Sequence, residues 1–108
     1  DSLRNSLEGA SQAEKQQLLL DLSWEFAYSN IDSGEYYGQK GLELAQERKL
    51  PNEIAKAKSM LAIVYDIQGR VEKSAELYLD IAKFYQSNDN QAELSKVYNN
   101  LGVLFYYN

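Results

Sequence analysis

Histidine and cysteine are both absent from this 108-residue chain, and there is a single proline. Without histidine the chain lacks the commonest general base and metal ligand, and the side chain that changes charge near neutrality. Ser-His-Asp triads, Cys-His pairs and histidine metal sites are therefore excluded. The lack of cysteine removes disulfides, thiolate metal sites and thiol nucleophiles, and fits an oxidising or a reducing compartment equally well. One proline and six glycines are too few turn formers for a multi-stranded sheet, so an all-helical chain is expected. Apolar runs are only a few residues long, far short of the roughly 18 that suggest a membrane span. Basic clusters are missing as well. The net charge is −5, with residues 1–54 carrying ten acidic and five basic side chains and residues 55–108 six of each. Such a chain is a poor binder of nucleic acid or of an anionic membrane surface.

What is present is helical periodicity. The apolar fraction of 44% is ordinary for a single globular domain of this length. Leu3 and Leu7 followed by Gly9 read as a short leading helix over Ser2–Glu8 with a glycine stop. Ser11 with Glu14 three residues on is a capping-box pattern, predicting a helix from Gln12 to about Tyr28. Turn formers over Ser29–Gly34 precede a second helix ending near Arg48, with Tyr36, Tyr37, Leu42, Leu44 and Ala45 as its apolar face. Leu50-Pro51-Asn52 breaks the chain, a third helix fits Asn52–Ile67 with Gly69 closing it, and a fourth follows over Val71–Gln86 with Ala75, Tyr78, Leu79, Ala82 and Tyr85 inward. A fifth begins at Gln91.

Across these helices one pattern returns at a spacing of about forty residues. Leu22-Ser23 with Phe26 reappears as Leu61-Ala62 with Tyr65 and again as Leu101-Gly102 with Phe105. A large residue, a small one and then an aromatic share one helix face, and the small residue leaves room for a neighbouring helix. Units of this length cannot bury their apolar faces alone and must stack, which predicts a helical solenoid.

The second unit, with Leu61-Ala62, Tyr65, Gly69, Val71, Ser74, Tyr78 and Ile81-Ala82, resembles the tetratricopeptide repeat. The first unit matches at Leu22, Ser23 and Phe26, and places Gly34, Gly38 and Gly41 where the family prefers alanine, an aromatic and alanine. The spacing is about six residues longer than the commonest repeat of this family, which implies extended helices. The leading helix, the leucine-rich helix with Leu22-Ser23-Trp24-Glu25-Phe26 and the shortened turn are similar to the amino-terminal region of Bacteroidetes-type tetratricopeptide sensor proteins. The resemblance implies an all-α, right-handed solenoid of antiparallel helix pairs forming a single domain. Its parts are a leading helix over 1–10, repeat one over 12–49, repeat two over 52–87 and the first helix of an incomplete third repeat over 90–108. It also implies a protein or peptide ligand, a signal-transduction role beside a histidine kinase or DNA-binding output domain, and an extracytoplasmic location.

In that register the first helix of each pair lines a concave surface. The residues are Gln17, Leu20, Trp24 and Tyr28 in the first unit, Lys56, Ser59, Ile63 and Asp66 in the second, and Lys96, Asn99, Val103 and Tyr106 in the third. Aromatics, amides and single charges suit an extended peptide or a partner helix; the plainer reading is that Trp24 and Ile63 only pack against adjacent helices. Family members that clamp a carboxylate terminus do so with lysine, asparagine and arginine. Here those places hold Leu20, Trp24, Met60, Lys96 and Asn100, which argues against such a clamp. Of the nine tyrosines, Tyr65, Tyr78, Tyr85 and Tyr98 fit packing positions, whereas one member each of Tyr36-Tyr37 and Tyr106-Tyr107 is expected to be exposed.

An enzyme would have to rest on carboxylate pairs. Glu72 with Glu76 and Asp21 with Glu25 are four apart, which is routine for a solvated helix face, and no glycine-rich phosphate loop lies between a strand and a helix. No catalysis, metal or cofactor is expected. The chain begins at Asp1, as expected for a processed product or an excised segment. The dense run Val103-Leu104-Phe105-Tyr106-Tyr107 has no helix after it. Exposing a large apolar side chain forfeits about 1.5–3 kcal/mol. Either the parent protein continues beyond Asn108, or the end pairs with another molecule. In the second case the chain is a self-contained adaptor that homodimerises through its last helix.

Overall fold

A computed structural model of the chain describes residues 11–108. The leading helix expected over Ser2–Glu8 lies outside the described residues. Five α-helices follow one another: α1 (Gln12–Phe26), α2 (Ile31–Glu47), α3 (Pro51–Ile67), α4 (Val71–Ser87) and α5 (Gln91–Tyr107). Each packs on its neighbours in sequence, α1 also touches α3, and the described residues hold no strand. Gln16 on α1 meets Gly41 on α2 while Ser23 meets Gly34, so the chain reverses at the turn between them. The architecture is an all-α helical repeat solenoid.

Local signals set the helix ends. Ser11 caps α1 by accepting from the Glu14 amide at 3.3 Å, and its hydroxyl donates to the Glu14 carboxylate at 2.9 Å. Asn30 and Asn90 cap α2 and α5 by accepting from the amides of Ser33 and Glu93 at 3.3 and 3.2 Å. Pro51 starts α3, where its missing amide hydrogen costs nothing. The three later turns share one design. The amides of Leu50, Arg70 and Asn90 reach back to the carbonyls of Ala45, Tyr65 and Tyr85 at 3.3, 2.8 and 2.9 Å, with Lys49, Gly69 and Asp89 in the left-handed region at φ 56°, 78° and 53°.

The echoed triplet falls where the packing needs it. Leu22, Leu61 and Leu101 are buried, as are the small residues Ser23 and Ala62 at the crossings with α2 and α4. One core joins Ala55 and Ala62 of α3 to Tyr78, Ile81 and Tyr85 of α4 and Leu94, Val97 and Leu104 of α5. A second joins Leu20 and Ala27 to Ala57, Met60 and Val64.

Several expected faces are corrected by this arrangement. Apart from Ala45, the apolar residues named for α2 are not fully buried; its inward face is Gly34, Gly38, Gly41 and Ala45. The backbone of α2 itself makes the contact. A Cβ on Gly38 would lie 2.9 Å from Leu61 Cδ2 and 3.1 Å from Ser23 Oγ, and one on Gly41 would lie 2.9 Å from Leu20 Cδ2. Leu79 and Tyr98 are exposed rather than core, the first because α4 turns Tyr78 and Ala82 inward, the second because no further helix covers α5 among the described residues. Of Tyr36-Tyr37 only Tyr36 is exposed, whereas Tyr106 and Tyr107 both are.

Candidate functional site

The first helix of each unit presents the same positions at the same height, so single residues become rows. Gln17, Lys56 and Lys96 form one row, and Trp24, Ile63 and Val103 another. Trp24 is 57% exposed, Val103 is 48% exposed and Ile63 is half-buried between them in register. Tyr28 is exposed, and its counterparts by spacing are Ile67 and Tyr107; Asp66 and Tyr106 correspond instead to Ala27, which is buried. By this register an apolar side chain recurs at one position on three helices, with Ile63 partly buried against the Leu20–Met60–Val64 core.

Polar groups frame these positions. Lys56 and Lys96 are exposed and each pairs with a glutamate three residues earlier, Glu53 at 3.4 Å and Glu93 at 3.1 Å. Gln17 is exposed and donates to Asp21 at 2.9 Å. Asp66 is half-buried and accepts from Asn108 at 3.4 Å, tying the end of α5 to α3. Ser59 is half-buried, and Asn99 and Tyr106 are exposed. Leu20 is the exception among the expected groove residues, being 8% exposed and packed with Met60 and Val64. The absent side chain of Gly41 opens the space that takes Leu20 in, while the polar counterparts Ser59 and Asn99 stay toward the surface.

A polar junction sits where the two units meet. Glu35 of α2 accepts from Gln68 at 2.8 Å and pairs with Arg70 at 3.3 Å. The Arg70 guanidinium lies 4.6 Å and the Lys73 ammonium 5.4 Å from the centre of the Tyr65 ring, whose hydroxyl accepts from Gln39 at 2.8 Å. Burial pushes the Tyr78 phenol above its ordinary pKa of 10.0, helped by the Asp66 charge. Burial likewise raises Tyr85, with Glu93 adding to the effect and Lys96 opposing it. Glu72, Glu76, Asp21 and Glu25 are all exposed on helix surfaces. Among the described residues no group of three or more acidic side chains is gathered to hold a metal ion, and no helix is long and apolar enough to cross a membrane.

One exposed surface reaches beyond the Val103–Tyr107 run that the sequence marks as uncovered. Tyr98, Gly102 and Phe105 form an exposed stripe on α5, at the positions held by Leu19, Ser23 and Phe26 on α1 and by Lys58, Ala62 and Tyr65 on α3. The signal was available in the echo itself, because the small residue marks where a following helix crosses. No family model, curated protein or solved structure compared with the chain matches it.

Proposed function

We propose that this chain is a protein- or peptide-binding module of the tetratricopeptide type, serving as the sensory or scaffolding part of a larger bacterial signal-transduction protein. The observation that supports this reading most is the row Trp24–Ile63–Val103, in which a partly exposed apolar side chain recurs at one position of three stacked helices. An isolated exposed apolar residue means little, whereas a framed strip of them suits a ligand that lies across the helices. Its Lys56 and Lys96 charges are already paired, which favours a ligand held by apolar contact over one held by a cluster of acidic groups. A ligand that spans α1, α3 and α5 binds one curvature of the stack better than another, and by that difference alone it shifts the array that a linked domain reads.

The test is selection of a random peptide library on the chain. Peptides that lose binding to Trp24→Ala and Val103→Ser variants, both at exposed positions, support the proposal. Selection that yields only binders indifferent to both substitutions contradicts it.

A further inference from the structure

We propose that the stripe Tyr98–Gly102–Phe105 on α5 is a docking site for one further helix, amphipathic, with basic residues in its first turn followed at once by a serine. The stripe continues an interface that this chain already makes twice. The crossing residue is Ser23 in the first unit, buried under α2, and Ala62 in the second, buried under α4. At Gly102, their counterpart, a Cβ would meet nothing within 4 Å, and the flanking Tyr98 and Phe105 are 52% and 60% exposed. Tyr98 and Gly102 share a shallow surface depression with Val103 and Tyr106, and the inference rests on the helix crossing at Gly102 rather than on ligand binding at the Val103 row.

The chemistry of the missing helix follows from the two that are present. Each existing crossing holds one buried hydroxyl donating to the opposite backbone: Ser23 of α1 to the Gly34 carbonyl, and Ser74 of α4 to the Ala62 carbonyl. Glycine at 102 brings no hydroxyl, so the covering helix has to supply it, as α4 does and α2 does not. The aromatic of the stripe adds a second requirement. Phe26 stacks on Tyr37 at 5.9 Å, whereas the Tyr65 ring takes the cations of Arg70 and Lys73. On a helix that carries its serine as α4 does, the positions four and one earlier lie over the Phe105 ring, where basic residues would be received as Tyr65 receives Arg70 and Lys73.

A second copy of this chain is a poor source. Its α2 is packed between α1 and α3 and its α4 between α3 and α5, so neither can be offered without unfolding. Its own stripe would bring Tyr98 and Phe105 against aromatics, with no cation on the stripe and with the Tyr98 phenol, four residues from the Gly102 crossing, as its one hydroxyl.

The test uses a labelled synthetic peptide of residues 69–89, which holds the α4 sequence, titrated with the full chain and followed by fluorescence anisotropy. Saturable binding is expected. It should weaken roughly tenfold on the Gly102→Leu chain, where the side chain fills the crossing. A Ser74→Ala peptide and an Arg70→Glu, Lys73→Glu peptide should each bind about threefold more weakly. Gly102→Leu stands in open space and leaves the fold intact. A second measurement does not depend on the peptide folding alone. A copy of residues 69–89 joined directly after Asn108, which stands where Gln68 does in the earlier unit, should raise the thermal midpoint by about 4 °C or more. Gly102→Leu should abolish that rise. Equal binding to both chains, or no binding together with no rise, overturns the proposal. So does a dimer in sedimentation that Gly102→Leu dissociates and the peptide does not displace, since a second copy would then occupy the stripe.

Discussion

Ser23 on α1 donates its hydroxyl to the backbone carbonyl of Gly34 on α2 at 2.6 Å, inside the crossing of the two helices. One unit later the direction is reversed, with Ser74 on α4 donating to the Ala62 carbonyl of α3 at 2.7 Å. The hydroxyl changes helix, and the reason is steric. A Cβ on Gly34 would sit 3.2 Å from Ala27 Cα and 3.3 Å from the Ser23 carbonyl oxygen, both backbone atoms that cannot swing aside. Only α1 has room for the donor in the first unit.

Ser23→Ala should therefore cost about 1 kcal/mol, the net worth of one buried hydrogen bond. Adding Gly34→Ser, which returns a hydroxyl to the crossing on the other helix, should fail to restore stability and lower it further. Urea denaturation of the single and double variants checks both statements.

Two glycines on equivalent-looking helices should respond to alanine with opposite sign. Gly38→Ala gains helix propensity of up to about 1 kcal/mol, yet its Cβ meets the fully buried Leu61, and overpacking of this kind costs about 1–3 kcal/mol, so net destabilisation is expected. Gly102→Ala meets nothing and should stabilise by up to about 1 kcal/mol. Thermal midpoints of the two variants, measured side by side, read the difference.

These positions show what was legible in the sequence. Leu22, Leu61 and Leu101, their small neighbours, the Ser11 cap and the break at Pro51 could be read because each acts through its own side chain and local backbone. The inner face of α2 could not, since Gly34, Gly38 and Gly41 pack by having no side chain, and a search for apolar periodicity looks past them. Leu20 followed from the same cause: its burial depends on the space over Gly41, on a different helix. The exposure of Trp24 and Val103 follows from a register that repeats from unit to unit. Tyr98 fits a packing position by register, but the run at 103–107 that lacks a following helix extends back to it, and the same missing cover leaves Tyr98 exposed.

Tyr78 and Tyr85 couple stability to alkaline pH. Burial raises both phenols above 10.0, so below that value folded and unfolded chains are equally protonated and the full stability is present. Above it the unfolded chain releases protons that the folded chain retains, and stability falls as pH rises toward the folded values. The urea midpoint should drop above a pH of about 10, and a Tyr78→Phe, Tyr85→Phe double variant should drop less steeply.

The proposed ligand row Trp24–Ile63–Val103 carries its own reporter, because Trp24 is the chain's one tryptophan. The decisive measurement is Trp24 emission during titration with a peptide selected on the chain. Binding across the row should move the emission saturably to shorter wavelength as water leaves the indole, and Val103→Ser should weaken the apparent affinity by roughly tenfold. A peptide that binds by calorimetry while Trp24 emission and the Val103→Ser affinity stay unchanged would place recognition away from this row.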